Sequence, residues 1–286
     1  MNNTTQLIHA NTTGIASADM YRMSDKFSWW LADIGLPLDG LRLFHGLLHQ
    51  TCRNLPGWSE NVRQDDDGHM VSSMALKTQL GLGRAKSNRN IKHGISALRD
   101  TDCFDWIEFR HGTEWVTWRF TDEALAAILE NNIYALLDAK GLSTTKNPTD
   151  FHIFSLVALH RRMRKPEFRL LIGQMQPWVD GVEADWSALR RPFVTALQRA
   201  CATYNLTAVV LMKCTGTLRG IDQVVIRTRM PGNLWTVDEL AKTGRYARKC
   251  MVVGPRSFLT CGPKKLHSTL SHLKAAHWDV DRIKPT

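Results

Sequence analysis

The sequence lacks paired cysteines, long apolar runs and a secretory leader pattern. Its six cysteines are scattered, and no two form a C-x-x-C pair, so we expect reduced thiols rather than a disulfide framework. No apolar run approaches the ~20 residues that are needed to span a bilayer. The first residues have neither the basic nor the apolar region of a signal peptide. We therefore expect a cytoplasmic protein with no membrane partner.

Acidic residues are scarce relative to basic ones. The 286 residues include 37 Lys and Arg against 27 Asp and Glu, which gives a formal net charge of +10. The segment from His69 to Arg99 contains no acid, and the segment from Ala241 to Thr286 has ten basic residues against two acids. Because basic domains bind by displacing counterions from phosphates, this distribution favours nucleic acid as a partner.

The length and the hydrophobic content predict about two globular domains. A hydrophobic fraction of 43% is typical of folded proteins and excludes a disordered chain. Residues 1–20 are polar and without periodicity, which predicts a flexible arm. Apolar residues at helical spacing predict a helix over 37–52, and a Pro, Gly and Asp-rich stretch predicts a loop over 54–68.

The next segment has the order of elements of a winged helix. Ser72 or Ser73 caps a short helix, Gly81 ends it, and a second helix starts near Ser87. Residues 104–109 and 115–120 then alternate with period two around a turn, which predicts a hairpin. Two helices joined by a glycine turn and followed by a hairpin are typical of a DNA-binding winged helix. We place this domain at 21–140.

Basic and amide side chains around the second helix are the predicted DNA contacts, because Arg and Asn read base edges while Lys anchors phosphates. In the first domain these candidates are Lys77, Arg84, Lys86, Ser87, Asn88, Arg89, Lys92, His93 and Arg110.

The second half repeats this plan. The predicted elements are a helix over 150–162, a short helix over 170–175, a long helix over 186–200 and two strands over 207–212 and 222–227. We assign a second winged-helix domain to 141–232 and a basic C-terminal extension to 233–286. The predicted fold class is therefore α+β, mainly helical, with two tandem winged-helix domains.

Four segments carry a resemblance to a known family: DFHIFSLVALHRR (150–162), FRLLIGQM (168–175), WSALRRPFVTALQRACATYN (186–205) and GIDQVVIR (220–227). They resemble the iteron-binding plasmid replication initiators, which consist of two tandem winged-helix domains. The resemblance covers about residues 36–230 and departs from the family in the loop 54–70 and in the tail after Met230.

The resemblance implies a replication initiator that binds repeated origin sites on double-stranded DNA. It also implies recruitment of host initiator and helicase, and a homodimer that represses its own promoter. By analogy, the helices 84–99 and 186–205 enter major grooves and the two wings contact phosphates. The candidate DNA contacts in the second half are Arg190, Arg191, Gln198, Arg199 and Arg219, with Lys264 and Lys265 in the extension.

Other functions have weaker signals. A transcriptional regulator would differ from an initiator only in where its sites lie, and a scaffold for acidic partners would not distinguish DNA sequences. Tyr246, between two arginines, is the one candidate nucleophile of a strand-cleaving enzyme. His45 and His49, and the set Cys250, Cys261, His267 and His272, lack the spacing of established metal motifs. We therefore expect a non-enzymatic protein without metal or cofactor.

Overall fold

Helices and antiparallel sheets are combined in an α+β fold, which confirms the predicted class at that level. The structure, a computed structural model, describes residues 20–54, 68–83, 85–130, 133–179, 185–214, 220–229 and 247–266. The predicted arm over 1–20 therefore lies outside the described residues except for Met20. In the described part of the chain, no helix is long and apolar enough to cross a membrane.

The first unit contains two small sheets and five helices among its described residues. Strand β1 pairs with β5, and β4 lies between β2 and β3. The elements are β1 (Met20–Ser24), α1 (Asp25–Asp33), α2 (Leu38–Asn54), β2 (His69–Ser72), α3 (Ser73–Gln79), α4 (Arg89–Arg99), β3 (Phe104–Arg110), β4 (Trp115–Phe120), α5 (Asp122–Ile128) and β5 (Tyr134–Asp138).

Local sequence signals explain these boundaries. The apolar positions that predicted a helix over 37–52 are fully buried on α2. The Ser72 hydroxyl caps α3 by accepting from Ala75 N at 3.2 Å, and Gly81 adopts φ +70° just beyond the helix, as its role as a terminator predicts. The predicted hairpin is present, with Arg110 paired to Trp115 next to its turn. Strand β2, which pairs with β4, was not predicted.

The second unit is built on one five-stranded sheet in the order β10-β9-β7-β8-β6. Its elements are α6 (Ala139–Ser143), α7 (Pro148–His160), β6 (Glu167–Leu171), a 3-10 helix (Gly173–Trp178), α8 (Trp186–Tyr204), β7 (Thr207–Lys213), β8 (Gln223–Arg229), β9 (Lys249–Val253), β10 (Phe258–Cys261) and a second 3-10 helix (Pro263–Lys265).

The predicted short helix over 170–175 is wrong. Residues 167–171 form strand β6, which pairs with β8, and the 3-10 helix follows it. Burial alternates along the strand, with Phe168 and Leu170 inside and Arg169 and Leu171 exposed. The period of two was hidden because the apolar Leu171 and Ile172 follow Leu170 directly.

The boundary at 232 also needs correction. Part of the predicted C-terminal extension belongs to the second unit, because β9 pairs with β7 over five residues and β10 pairs with β9. Residues 230–246 and 267–286 lie outside the described part of the chain.

One hydrophobic core extends through both units. It includes Phe44 and Trp118 from the first unit and Phe154, Phe193 and Ile226 from the second. Helix α7 lies between them, and 12 of its 13 residues are buried. The two halves are therefore packed into one body, although each is long enough to bury a core of its own.

Candidate nucleic-acid interface

Helix α4 has a buried face and a basic face. Ile91, Ile95 and Leu98 are buried as the spacing predicts, and Gly94 lies against α2. A Cβ at Gly94 would lie 2.7 Å from the Asp39 carbonyl oxygen, so glycine permits the close approach of the two helices. Among the described residues, the core contacts of helix α4 therefore lie on one side of the helix.

The exposed side of α4 and of the turn before it gathers most of the predicted contacts. We call this set the basic face: Lys86, Ser87, Arg89, Lys92 and His93, all exposed. Helix α4 contains no acidic residue. Sequence reasoning missed Ser96, which is also exposed and lies one turn beyond Lys92.

Two amide side chains near α4 hold neighbouring elements. Asn88 donates to the Thr113 carbonyl oxygen at 2.8 Å, and Asn90 donates to the Asp39 carboxylate at 3.0 Å. The same carboxylate lies 3.8 Å from His93 Nδ1. Asn88 is therefore a positioning residue in the structure rather than a free base-reading amide.

Lys77 was also predicted to contact DNA, but in the structure its side chain bonds to the protein. It is half-buried, and its ammonium donates to the Ala85 carbonyl oxygen at 3.2 Å across the turn between α3 and α4. This bond stabilises the turn, which also contains a Leu82 N to Lys77 O bond of 2.7 Å. Arg84, in the same turn, lies outside the described residues.

The β3–β4 hairpin turn is fixed next to the start of α4. Thr113 O accepts from Ser73 Oγ at 2.7 Å as well as from Asn88, so the turn is tied to both α3 and α4. Arg110 at the turn is exposed, lies 3.6 Å from a Glu108 carboxylate oxygen, and has its guanidinium 5.8 Å from the Trp106 ring centroid. The hairpin and the basic face thus form one continuous surface.

Helix α8 presents a second, smaller basic surface. The Asp185 carboxylate caps the helix by accepting from Ala188 N at 2.7 Å, which lowers the pKa of Asp185. Arg190 and Arg191 are exposed, and an Arg190 guanidinium nitrogen lies 3.4 Å from the Thr260 hydroxyl on β10. Gln198 is half-buried one turn beyond the exposed Thr195.

Arg199 does not belong to this surface, which corrects its predicted role. Its guanidinium forms an ion pair with the carboxylate of Asp150 on α7, and a second bond of 3.4 Å reaches the Thr144 carbonyl oxygen. The Asp150 side chain is 2% exposed and the Arg199 side chain is 21% exposed, so the carboxylate end of the pair is buried. Both bonds of the Arg199 guanidinium are made inside the protein, which favours a positioning role over base reading.

The remaining predicted residues divide between exposed and undescribed positions. Lys264 and Lys265 are exposed in the second 3-10 helix, directly after β10. Arg219 and Tyr246 lie outside the described residues. The lysines therefore adjoin the sheet that supports α8.

The histidines of α2 have partners inside the protein. The Tyr21 hydroxyl is hydrogen-bonded to His45 Nδ1, and Gln79 Nε2 lies 2.7 Å from His49 Nδ1. Burial lowers the pKa of His45 to about 3, so it is neutral at physiological pH. Within the described ranges, no group of three or more His, Cys, Asp and Glu side chains is placed to hold a metal ion.

Comparison with known proteins finds similarity of fold and not of sequence. No protein-family model matches the chain, and no curated protein matches its sequence. Its fold is similar to that of the Pi initiator protein, whose crystal structure is in complex with iteron DNA. The TM-score is 0.55 at 13% identity, and the match covers 77% of this chain and 100% of that chain. The protein thus shares its fold with that initiator protein.

Proposed function

We propose that this protein is a non-enzymatic initiator of DNA replication that binds repeated sites on double-stranded DNA through two winged-helix units. The order of elements supports this in both halves. In the first, α2, β2, α3 and α4 precede a hairpin; in the second, α7, β6, a 3-10 helix and α8 precede one. The strand before the helix pair joins the second hairpin strand each time, as β2 does with β4 and β6 with β8. That arrangement is typical of winged-helix domains.

The basic face of α4 carries the proposal. Its cations are exposed, its helix has no acid, and its start is tied to the hairpin turn. An α-helix fits the major groove of B-DNA, which is about 12 Å wide. With α4 in the groove, the hairpin would act as a wing along the adjacent phosphates. The structural neighbour solved with iteron DNA has a similar fold and supports DNA as the partner.

The exposed residues would contact different parts of the DNA, according to their side-chain chemistry. Arg89 has a planar guanidinium suited to the O6 and N7 atoms of guanine, while Lys86, Lys92 and Arg110 would contact phosphates. In the second unit, Arg190 and Arg191 would make the corresponding contacts to bases and phosphates. The binding free energies of the two units would combine, because the units are joined in one body.

The test is a selection of randomised duplex DNA by the purified full-length chain at physiological salt, followed by sequencing. We expect a motif that extends over two adjacent major grooves. The double variant Arg89→Ala, Lys92→Ala should lose this enrichment. Lys26→Ala, which removes one exposed cation on α1, is a control for lost positive charge and should retain the enrichment.

The outcomes separate the alternative functions. Salt-sensitive binding without sequence enrichment would contradict the proposal and favour a scaffold for acidic partners. Nicking of the selected duplex in the presence of Mg²⁺ would show a strand-cleaving enzyme. If the motif is found, a plasmid that carries tandem copies and this gene should replicate in a suitable host. A single copy at a promoter instead would indicate a transcriptional regulator.

Host factors and self-association complete the proposal. An initiator must bring the host initiator and helicase to the melted duplex, so we propose that both bind the protein on its sites. We also propose a homodimer in the absence of repeated sites. Pull-down with purified host proteins on site-bearing duplex, and sedimentation of the free protein, would test these two points.

A further inference from the structure

A short linker near the start of the second unit is bonded to one arginine from each unit. Four residues, 144–147, connect α6 to α7. Arg42 on α2 donates to the Thr145 carbonyl oxygen, and Arg199 on α8 donates to the Thr144 carbonyl oxygen at 3.4 Å. The polar residues of this linker are therefore hydrogen-bonded to α2 of the first unit and to α8 of the second.

Asp150 completes this set. Its carboxylate pairs with Arg199 and also accepts from Lys146 N at 2.8 Å, while its backbone N–H is capped by the Asn147 side chain at 2.8 Å. A carboxylate that is 2% exposed needs its cation, because an unpaired charge is strongly disfavoured in the interior. We call Arg42, Thr144, Thr145, Asp150 and Arg199 the linker clamp.

The linker clamp connects the two basic surfaces through rigid elements. Arg199 lies on α8 itself, which carries Arg190 and Arg191. Arg42 lies on α2, against which Gly94 of α4 packs closely. A ring contact and a buried hydrogen bond support the same joint: the rings of His45 and Phe151 are 4.6 Å apart, and Trp178 Nε1 donates to the Ala32 carbonyl oxygen at 2.7 Å. The angle between α4 and α8 is thus fixed by bonds that lie away from both surfaces.

We propose that Arg42 and Arg199 are specificity-determining positioning residues, which set the permitted spacing between the two DNA segments that α4 and α8 read. The inference rests on the proposed function. An inserted base pair rotates one segment relative to the other by about 34° and shifts it by about 3.4 Å. A rigid joint cannot follow that change, whereas a loosened joint can. The clamp would therefore reject wrongly spaced sites without touching DNA.

The experiment uses the full-length protein and the duplex recovered by selection, with insertions of 1 to 5 base pairs between its two recognised segments. For the wild type, we expect insertions to lower affinity by about 100-fold, since only one unit can then engage. In the double variant Arg42→Ala, Arg199→Ala, the same insertions should lower affinity by about tenfold or less. Binding of the single variant Arg42→Ala to a duplex with one segment should not change.

Matched variants separate this effect from loss of folding or of DNA binding. Arg191→Ala, on the exposed side of α8, should lower affinity for the correctly spaced duplex and should not raise it for any duplex with an insertion. Arg42→Ala alone leaves the Asp150–Arg199 pair intact and should still flatten the spacing profile. Arg42→Lys keeps a donor for the Thr145 carbonyl oxygen and should restore the wild-type spacing profile. Thermal unfolding of each variant would monitor the fold.

The negative results are distinct. If the wild type shows no sequence-selective binding, the proposed function fails and the inference fails with it. If the wild type is selective but Arg42→Ala keeps the wild-type spacing profile, the clamp does not set the spacing, and the inference is overturned while the proposed function stands. The same holds if the double variant loses single-segment binding and Arg42→Ala has no effect.

Discussion

Arg191 and Arg199 carry the same charge on the same helix, yet their surroundings differ. Arg191 is exposed, whereas Arg199 pairs with a buried carboxylate that comes from α7. The sequence shows two arginines on an amphipathic helix and cannot show which one meets Asp150. The basic face of α4 was easier to predict, because its buried side is marked by apolar residues at helical spacing and its other side follows from the geometry of the helix.

At the residue scale, Arg89 provides the most direct test of base reading. Arg89→Ala should weaken binding to the selected duplex by about 1–3 kcal/mol, the usual value of a bidentate base contact. Binding to random duplex should change much less. Fluorescence anisotropy on both duplexes measures the difference. Equal losses on the two duplexes would mean that Arg89 anchors a phosphate instead.

At the element scale, α4 depends on Gly94 for its position against α2. An alanine in an exposed helix site is more favourable than glycine by about 1 kcal/mol. Here the added Cβ would meet the Asp39 carbonyl oxygen at 2.7 Å and Leu43 at 3.0 Å. We therefore expect Gly94→Ala to lower the free energy of unfolding by about 1–3 kcal/mol, because backbone cannot yield as a side chain does.

Urea unfolding of Gly94→Ala measures this change, with Ser96→Ala as the matched control on the same helix. Ser96 is exposed, so its substitution should stay within about 0.5 kcal/mol of the wild type. A stabilised Gly94→Ala variant would show that α4 and α2 are further apart than described. DNA binding should weaken along with stability, since displacement of α4 also moves the basic face.

At the scale of the whole molecule, the joint between the units contains two buried histidines from different helices. His45 lies on α2 and His152 on α7, and the His152 ring stacks on Trp178 at 4.9 Å. Burial lowers the pKa of each to about 3. The His45 ring is also in contact with Tyr21, Phe44 and Phe151, and each histidine has an Nε2 atom without a partner among the described residues.

These histidines predict a loss of stability in acid. The folded pKa lies below the unfolded value of about 6.5, so the unfolded chain binds more protons between those limits. Stability should be complete above pH 6.5 and decline toward pH 3, by up to about 1.4 kcal/mol per pH unit for each histidine. Urea unfolding at pH 7.5, 6 and 5 should show it.

The variant His45→Gln, His152→Gln should flatten this pH dependence, even if it is less stable at pH 7.5. His111→Asn is a suitable control, because His111 is exposed in the hairpin turn at φ +49° and asparagine tolerates that conformation. An unchanged pH dependence in the double variant would assign the acid sensitivity to carboxylates instead.

The net charge of +10 also acts at this scale. Lys264 and Lys265 are exposed beside the sheet that supports α8. If they bind phosphates, Lys264→Ala with Lys265→Ala should reduce the slope of log K against log salt by about 0.9 for each phosphate that is no longer neutralised. Titrations at several salt concentrations measure this slope. An unchanged slope would exclude these lysines from the interface.

The sequence alone determined the elements whose signals are local. The capped helices, the glycine turn and the hairpin follow from side-chain periodicity and from residues that suit a cap or a positive φ. The tertiary structure decided what depends on distant partners. Strand β6 exists because β8 lies beside it, β9 joins the second sheet through β7, and Arg199 turns inward because Asp150 is buried next to it. Hydrogen-bond ladders and buried charge pairs join residues far apart in the chain, so no local pattern contains them.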